Sequence, residues 1–233
     1  MESHEGFVAG LSNYSPDHLS QAEIACHAGF FSAAQKRYLA HKERIANQLL
    51  TRILLECPSR IGDCLEDSFS RSSYQRVQDL RRLLDLSDCR RFVMVGCGAF
   101  PATMFWLSDH FPDIDCIGLD IDAETVALAA GLASRLGRSQ LRFLSIDGCD
   151  FDFSGADFVF VANHVMPKRA VLEQLLRSGK QGVQVVVREP TRLGELLAES
   201  VRPDMPAGFS IAESGEDSRT FLSYDLVLSC CNV

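Results

Sequence analysis

The chain has 233 residues, of which 46% are hydrophobic, 23% charged and 9% aromatic. These proportions are typical of a globular protein with one sizeable core, and they exclude a disordered, fibrous or membrane-spanning chain. The 31 acidic residues outnumber the 23 basic ones, the formal net charge is −8, and no basic run is interleaved with aromatic residues. We therefore expect no nucleic-acid partner.

The nine cysteines contain no C-x-x-C pair and no closely spaced cysteine–histidine set. This spacing favours reduced thiols over a zinc site or a disulfide framework, so we expect no bound metal. No segment approaches the roughly 20 consecutive apolar residues that span a bilayer. The first residues lack both the basic start and the long apolar run of a signal peptide. The sequence therefore predicts a cytoplasmic protein with no membrane partner.

Residues 1–88 show the pattern of a helical layer. Ser15 followed by Pro16 is typical of a helix start, because serine caps free N–H groups and proline suits the first helical position. Apolar residues then recur at three- and four-residue intervals at about 31–55 and again at about 72–86. We expect these segments to form an N-terminal helical cap.

Residues 89–233 have a different pattern, in which short apolar runs alternate with helical segments. This alternation is the signature of βαβ units and a mostly parallel sheet. Strands are predicted at 91–95, 114–119, 141–145, 157–162 and 182–187, and helices at about 100–110, 123–136, 167–178 and 191–201. Two last runs, at about 208–213 and 219–230, are joined by a turn-rich connection suited to an antiparallel hairpin. The predicted fold class is α/β, a Rossmann-like domain behind a helical cap.

Ligands of such sheets bind beyond the carboxyl ends of the strands, so the loop after the first strand is the first candidate. It reads Gly96-Cys97-Gly98-Ala99-Phe100-Pro101-Ala102-Thr103. Gly96 and Gly98 allow a tight turn and the close approach of a ligand, although a turn without a ligand is an alternative. Pro101 replaces the third glycine of a G-x-G-x-x-G motif, which disfavours NAD or FAD.

Acidic residues follow the next two strands. Asp120 stands 24 residues after Gly96, close to the roughly 20 expected of the acid that accepts hydrogen bonds from a ribose diol. Asp122 is expected to cap the following helix rather than to bind a ligand. Asp147 and Gly148 follow the third strand, where they present an acceptor and a backbone N–H to an adenine edge or simply form a turn.

The fourth predicted strand ends in Asn163 and His164, whose polar groups are expected to face the crevice. A histidine without function at the surface is the alternative for His164. Glycines after strand one, an acid after strand two and an Asp-Gly pair after strand three describe a nucleoside site without a phosphate cradle. S-adenosylmethionine (SAM) fits this description.

Residues 91–230 resemble class I SAM-dependent methyltransferases, whose sheet ends in an antiparallel seventh strand. The loop from Val95 to Thr103 is similar to the G-x-G-x-x-P-x-T loop of nicotianamine-synthase-like enzymes, and so are Asp120-Ile121-Asp122, the run 158–162 and Arg188. The resemblance implies that SAM is a substrate or cosubstrate and that no metal is needed. The SAM-binding residues expected on this basis are Gly96, Cys97, Gly98, Pro101, Thr103, Asp120, Ile121, Asp147, Gly148 and Asn163.

The resemblance also implies unusual chemistry. Nicotianamine-synthase-like enzymes attack the Cγ atom of the aminocarboxypropyl arm of SAM and release methylthioadenosine, and azetidine-2-carboxylate synthases close a ring with the arm's own amine. We expect Tyr38 and Tyr74 of the cap to face the arm, and Asn163 and His164 to orient the amine or accept its proton. Simple packing is the alternative for both tyrosines. Arg188 is expected either to hold a carboxylate or to form a structural ion pair.

Three reactions of a small-molecule enzyme of secondary metabolism remain open. Self-cyclisation of SAM is preferred, because a compact cap leaves little room for a second amino acid. Transfer of the arm to an amino acid or amine and ordinary methyl transfer are the alternatives, and a SAM sensor without turnover is a more distant one. The oligomeric state is also open, with a homodimer among the alternatives.

Overall fold

The computed structural model describes residues 21–60, 86–138, 140–190, 195, 198–214 and 223–230, with the backbone alone for residues 21–34. The predicted helix start at Ser15 and nearly all of the predicted helix at 72–86, including Tyr74, lie outside these residues. Among the described residues, no helix is both long enough and apolar enough to cross a membrane.

Among the residues described before the sheet, one long helix, α1, spans Gln21–Glu56. The sequence predicted a helix boundary near residue 31, and this boundary is wrong. Residues 21–56 contain no proline and one glycine, and they are rich in alanine, leucine, glutamine and basic residues that favour a continuous helix. The side chains of Thr51 and Leu54 are buried in the carboxyl-terminal half of α1, which packs on the sheet domain.

The described residues form one sheet of seven strands. They are β1 (Arg91–Val95), β2 (Asp115–Asp120), β3 (Leu141–Ser145), β4 (Phe158–Val161), β5 (Gln184–Pro190), β6 (Phe209–Ser214) and β7 (Ser223–Cys230). Their order is β3-β2-β1-β4-β5-β7-β6, in which β1 to β5 are parallel and β7 runs antiparallel to both neighbours. The predicted Rossmann-like sheet with an antiparallel hairpin is therefore confirmed.

Three helices connect the parallel strands, as predicted: α2 (Ala102–His110), α3 (Ala123–Arg135) and α4 (Lys168–Ser178). A further helix was predicted at 191–201, but the described residues 198–201 are not helical. The reason is a tertiary contact that is distant in sequence. The buried carboxylate of Glu189, at the end of β5, accepts hydrogen bonds from the backbone N–H of Val201 and Arg202 and holds this segment against the sheet.

Both faces of the sheet are buried at its inner strands, whereas the edge strands β3 and β6 are mostly exposed. Phe92 and Met94 of β1 belong to one core cluster with side chains of α2, whereas Val93 and Val95 belong to a second cluster with side chains of α4. This alternation follows from the two-residue period of a strand, and burial on both faces explains why the strands read as continuous apolar runs. The two layers hold the carboxyl ends of β1 and β4 side by side.

Candidate active site

A cavity of about 630 Å³ lies at the carboxyl ends of β1 to β4. From β1 the chain proceeds to β2 and β3 on one side of the sheet and then returns to β4 and β5 on the other. Loops that leave neighbouring strands in opposite directions open a crevice between them, where open α/β sheets bind ligands. Helix α1 forms one wall of this crevice.

The glycine loop after β1 is bent by two residues with positive φ. Gly96 has φ +76° and Gly98 has φ +69°. A Cβ atom on Gly96 would lie 2.6 Å from Val165 Cγ2, so this position requires glycine for packing as well as for conformation. A Cβ atom on Gly98 would meet nothing within 4 Å. The backbone of Gly98 therefore borders open space on a loop that lines the cavity.

The rest of the glycine loop supplies an apolar wall. The side chain of Cys97 is 4% exposed, and burial raises the pKa of its thiol far above the usual range, so the thiol stays neutral. Pro101 directly precedes α2, and Thr103 lies buried in the first turn of that helix. All three residues line the cavity.

Asp120, at the end of β2, holds the glycine loop. Its Oδ2 accepts a hydrogen bond from Gly98 N at 3.1 Å, and its Oδ1 accepts one from Asp122 N at 3.1 Å. Burial raises the pKa of Asp120, against the lowering effect of these two donors. A carboxylate has about four acceptor positions, so Asp120 can bind the loop and still accept hydrogen bonds from a diol in the cavity.

The residues next to Asp120 have different roles. Ile121 lines the cavity and is 72% exposed, which is unusual for so large an apolar side chain. Asp122 caps α3, since its side chain accepts from Glu124 N and from Thr125 Oγ1. Gln48 of α1 also donates to Asp122, at 2.9 Å. The predicted cap is confirmed, and it is also an anchor for α1.

Asp147 and Gly148 lie beyond β3 and line the far end of the cavity. Asp147 Oδ1 accepts a hydrogen bond from Cys149 N at 2.9 Å, which is the turn that the sequence offered as an alternative. A Cβ atom on Gly148 would lie 2.6 Å from Val95 Cγ1. Glycine is needed here because the turn packs directly on the end of β1.

Asn163 and His164 lie in the loop after β4 and line the cavity. Asn163 Oδ1 and His164 Nδ1 are buried, and neither has a hydrogen-bond partner in the part of the chain that the structure describes. His164 Nε2 pairs with the carboxylate of Glu43 on α1. A buried polar atom without a partner costs about 1–3 kcal/mol, so two adjacent ones on a cavity wall are typical of a ligand site.

No protein-family model matches the chain, and no curated protein is similar to it in sequence. Solved structures do match. A mutant of the nicotianamine synthase MtNAS in complex with SAM has a TM-score of 0.76 and 18% identity, over 86% of this chain and 78% of that one. MtNAS in complex with MTA and tNA matches with a TM-score of 0.76 and 18% identity, over 86% of this chain and 76% of that one. A SAM-dependent methyltransferase from Aquifex aeolicus matches with a TM-score of 0.55 and 16% identity, over 73% of this chain and 97% of that one.

The chain has the class I methyltransferase fold. The structural likeness to MtNAS extends over more of the chain than the likeness to the Aquifex aeolicus enzyme. The resemblance inferred from the glycine loop and from Asp120 is thereby confirmed at the level of the fold. In this fold the cavity lies where the loops after β1, β2, β3 and β4 meet.

The prediction for Tyr38 is wrong. Its side chain is 58% exposed, Lys42 lies over its ring, and Tyr38 is not among the residues that line the cavity. The rotation of α1 about its axis places Arg37, His41 and Arg44 toward the cavity instead. Tyr74 lies outside the described residues.

Arg188 forms the ion pair that the sequence offered as one of its two roles. Its Nε and Nη2 donate to Asp225 on β7 at 2.9 and 3.3 Å, and its guanidinium lies 4.9 Å from the centre of the Phe160 ring. Arg188 also lines the cavity, but Asp225 neutralises it there. Sequence reasoning missed Asp225, because its pairing depends on β7 inserting beside β5.

Proposed function

We propose that the cavity binds SAM and that the protein catalyses attack on the Cγ atom of the aminocarboxypropyl arm, with release of methylthioadenosine. The preferred attacking group is the amine of the same arm, which gives azetidine-2-carboxylate. The observation that carries this proposal is the pair of buried, unpartnered atoms Asn163 Oδ1 and His164 Nδ1 on the cavity wall. An amino group is a donor that suits two neighbouring acceptors.

The residues of the cavity fit a sulfonium nucleoside. Asp120 retains acceptor positions for the ribose hydroxyls, and Gly98 leaves open space beside it. Ile121 offers an exposed apolar surface to a base, and Asp147 lies at the far end after β3. The MtNAS structures in complex with SAM and with MTA, the abbreviation for methylthioadenosine, support this ligand for the shared fold.

When bound, SAM supplies a sulfonium leaving group that is already activated. The task of the protein is then to hold the amine in line with the departing sulfur, and such orientation contributes up to about 7–11 kcal/mol. Helix α1 forms one wall of the cavity and shields the arm from water on that side. A drier site disfavours the charged form of the amine, which must lose a proton before it can attack.

His164 is the proposed acceptor of that proton. Glu43 at Nε2 favours the tautomer that carries its proton on Nε2, and Nδ1 is then a free base; this tautomer is assigned from the pairing. Ring closure forms the bond between nitrogen and Cγ and breaks the bond between Cγ and sulfur, whose electron pair stays with methylthioadenosine. The released proton goes to His164 Nδ1 and then to solvent, while Asn163 Oδ1 holds another N–H of the amine.

Transfer of the arm to an amino acid or amine is the second candidate, and the MtNAS complex with MTA and tNA favours it. Cyclisation is preferred because Arg188 is neutralised by Asp225. Within the part of the chain that the structure describes, the cavity therefore offers little to the carboxylate of a second amino acid. Ordinary methyl transfer is the third candidate, on the likeness to the Aquifex aeolicus methyltransferase.

Separation of the reaction products by mass spectrometry tests the three candidates. Purified protein is incubated with SAM alone and with SAM plus a mixture of amino acids and amines. Cyclisation predicts equal amounts of methylthioadenosine and azetidine-2-carboxylate from SAM alone, whereas transfer predicts methylthioadenosine only when an acceptor is present. S-adenosylhomocysteine as the sole nucleoside product would contradict both reactions of the arm. Binding of SAM without any product would identify a sensor.

A further inference from the structure

Three arginines line the cavity, Arg37 and Arg44 on α1 and Arg188 on β5. Arg188 is committed to Asp225, with which it forms a two-point ion pair above the Phe160 ring. A guanidinium that already holds a carboxylate in this way has lost the planar edge that would bind another one. The sequence-based role of Arg188 as a carboxylate receptor is therefore better filled by a different cation.

Arg44 is also committed. It lies 3.5 Å from Asp122 Oδ2, and its Nη2 lies 2.8 Å from His41 Nδ1. Arg37 differs from the other two arginines. It is exposed on the cavity side of α1, and it has no hydrogen bond or ion pair with any residue that the structure describes. Among the arginines that line the cavity, Arg37 is thus the one without a partner in the part of the chain that the structure describes.

The course of α1 places Arg37 at a particular end of the cavity. Gln48 contacts Asp122 at the start of α3, on the β2 side, and Glu43 contacts His164 after β4. Lys36, next to Arg37, is close enough to Lys168 at the start of α4 to contribute to the lowering of its pKa, which burial mainly causes. Along the chain, helix α1 therefore runs from the β4 and β5 side toward the β2 side. Arg37 lies about 9 Å from Glu43 along the axis, farther toward β4 and β5.

The order of the sheet gives the direction of a bound nucleoside. Asp147 follows β3, Asp120 follows β2, the glycine loop follows β1 and Asn163 follows β4, and these four strands are neighbours in that order. A ligand with its base near Asp147 and its ribose at Asp120 extends its arm past the glycine loop toward Asn163. The end of that arm reaches the part of the cavity that Arg37 borders.

We propose that Arg37 binds the carboxylate of the amino-acid arm and makes the site specific for a nucleoside that carries one. This inference rests on the proposed function. A guanidinium binds a carboxylate through two parallel hydrogen bonds, which fixes the orientation of the group as well as its charge. With the carboxylate at Arg37 and the amine at Asn163 and His164, both polar groups of one amino acid are held. A single unpaired arginine also matches a reaction with one amino-acid substrate rather than two.

Calorimetric titration with ligands that differ in the carboxylate tests Arg37 without relying on turnover. The variant is Arg37→Met, because methionine keeps the helix propensity and removes the charge. We expect the Kd of SAM to rise about 10- to 100-fold. The Kd values of methylthioadenosine and of decarboxylated SAM, which both lack the carboxylate, should stay within about twofold of the wild type.

Arg52→Met is the matched control. Arg52 also lies on α1, but it pairs with Glu124 and does not line the cavity. This control should bind all three ligands as the wild type does. An unchanged Kd of SAM in Arg37→Met would overturn the inference, and so would an equal loss for SAM and methylthioadenosine, which would indicate a general defect of the cavity.

The same titrations separate this inference from the proposed function. Failure of the wild-type protein to bind SAM, or to release methylthioadenosine from it, contradicts the proposed function. A wild-type protein that binds SAM and releases methylthioadenosine, together with an Arg37→Met variant of unchanged SAM affinity, contradicts the role of Arg37 alone.

Discussion

Glu43 on α1 pairs with the Nε2 atom of His164, 121 residues later in the chain. The pair ties the helix that forms one wall of the cavity to the loop at the carboxyl end of β4. A carboxylate at Nε2 fixes the orientation of the ring and leaves Nδ1 facing the cavity. The position of α1 and the orientation of His164 are therefore connected.

We predict that His164→Gln lowers kcat for the release of methylthioadenosine by about 100-fold or more, because a general base contributes factors of about 10² to 10⁴. The Kd of SAM should change little, since Asp120 and the glycine loop remain. Glu43→Gln should lower kcat by a smaller factor, and the two substitutions together should cost no more than His164→Gln alone. Steady-state kinetics and calorimetry measure both quantities. A His164→Gln enzyme with the kcat of the wild type would remove His164 from the reaction.

The second prediction concerns Asp120. Asp120→Ala should weaken SAM binding about 10- to 100-fold, because it removes charged hydrogen bonds to the ribose and the acceptor that holds Gly98 N. Calorimetry with SAM and with methylthioadenosine should show the same loss, since both carry the ribose. Asp113→Asn, an exposed aspartate in the turn before β2, is the control. Wild-type affinity in Asp120→Ala would exclude Asp120 from the ribose site.

Gly98 and Gly137 form a matched pair for the third prediction. Both have positive φ, +69° and +68°, and an added Cβ atom would meet nothing within 4 Å at either position. Gly98→Ala and Gly137→Ala should therefore lose similar stability, about 1–2 kcal/mol, from the left-handed backbone. Urea denaturation measures this loss. Only Gly98→Ala should also lose SAM affinity, because only Gly98 lines the cavity; equal affinities in the two variants would show that no ligand approaches the loop there.

Lys168 gives a prediction about pH. It is fully buried, its Nζ donates to the backbone oxygen of Glu199 at 2.6 Å, and burial lowers its pKa from 10.5 to about 8. Between these two values the unfolded chain holds a proton that the folded protein has released, so the free energy of unfolding rises with pH. The wild type should gain on the order of 2 kcal/mol relative to Lys168→Met between about pH 7 and pH 10. Parallel pH profiles of the two proteins in urea denaturation would contradict this.

The strands could be predicted well because the inner parallel strands β1, β2, β4 and β5 are buried on both faces and read as short apolar runs. The helix expected at 191–201 does not extend over the described residues 198–201, for a reason that local sequence does not contain. Glu189 lies at the end of β5 and binds the N–H of Val201, which commits that segment to the sheet. A pattern of helix-forming residues carries no information about such a long-range acceptor.

The edge of the sheet that carries the cavity could also be predicted, since the carboxyl ends of parallel strands meet at one edge, where Gly98 lies just after β1 and Asp120 ends β2. The contribution of α1 to the cavity could not be predicted from the sequence. Periodicity identifies a helix but does not say which of its polar residues faces a cavity, so Tyr38 was placed there in error. Arg37 and Glu43 look like solvent-facing residues of an amphipathic helix until the packing of α1 on the sheet domain is known.

Calorimetric titration of the wild-type protein with SAM and with the unreactive product methylthioadenosine tests the central claim most directly. The geometry of Gly98, Asp120 and Ile121 predicts saturable binding of one molecule of either ligand per chain, with the two ligands competing for one site. Absence of a binding signal with both ligands would contradict the assignment of the cavity to a SAM-derived nucleoside. It would also contradict the proposed reaction of the aminocarboxypropyl arm, which requires bound SAM.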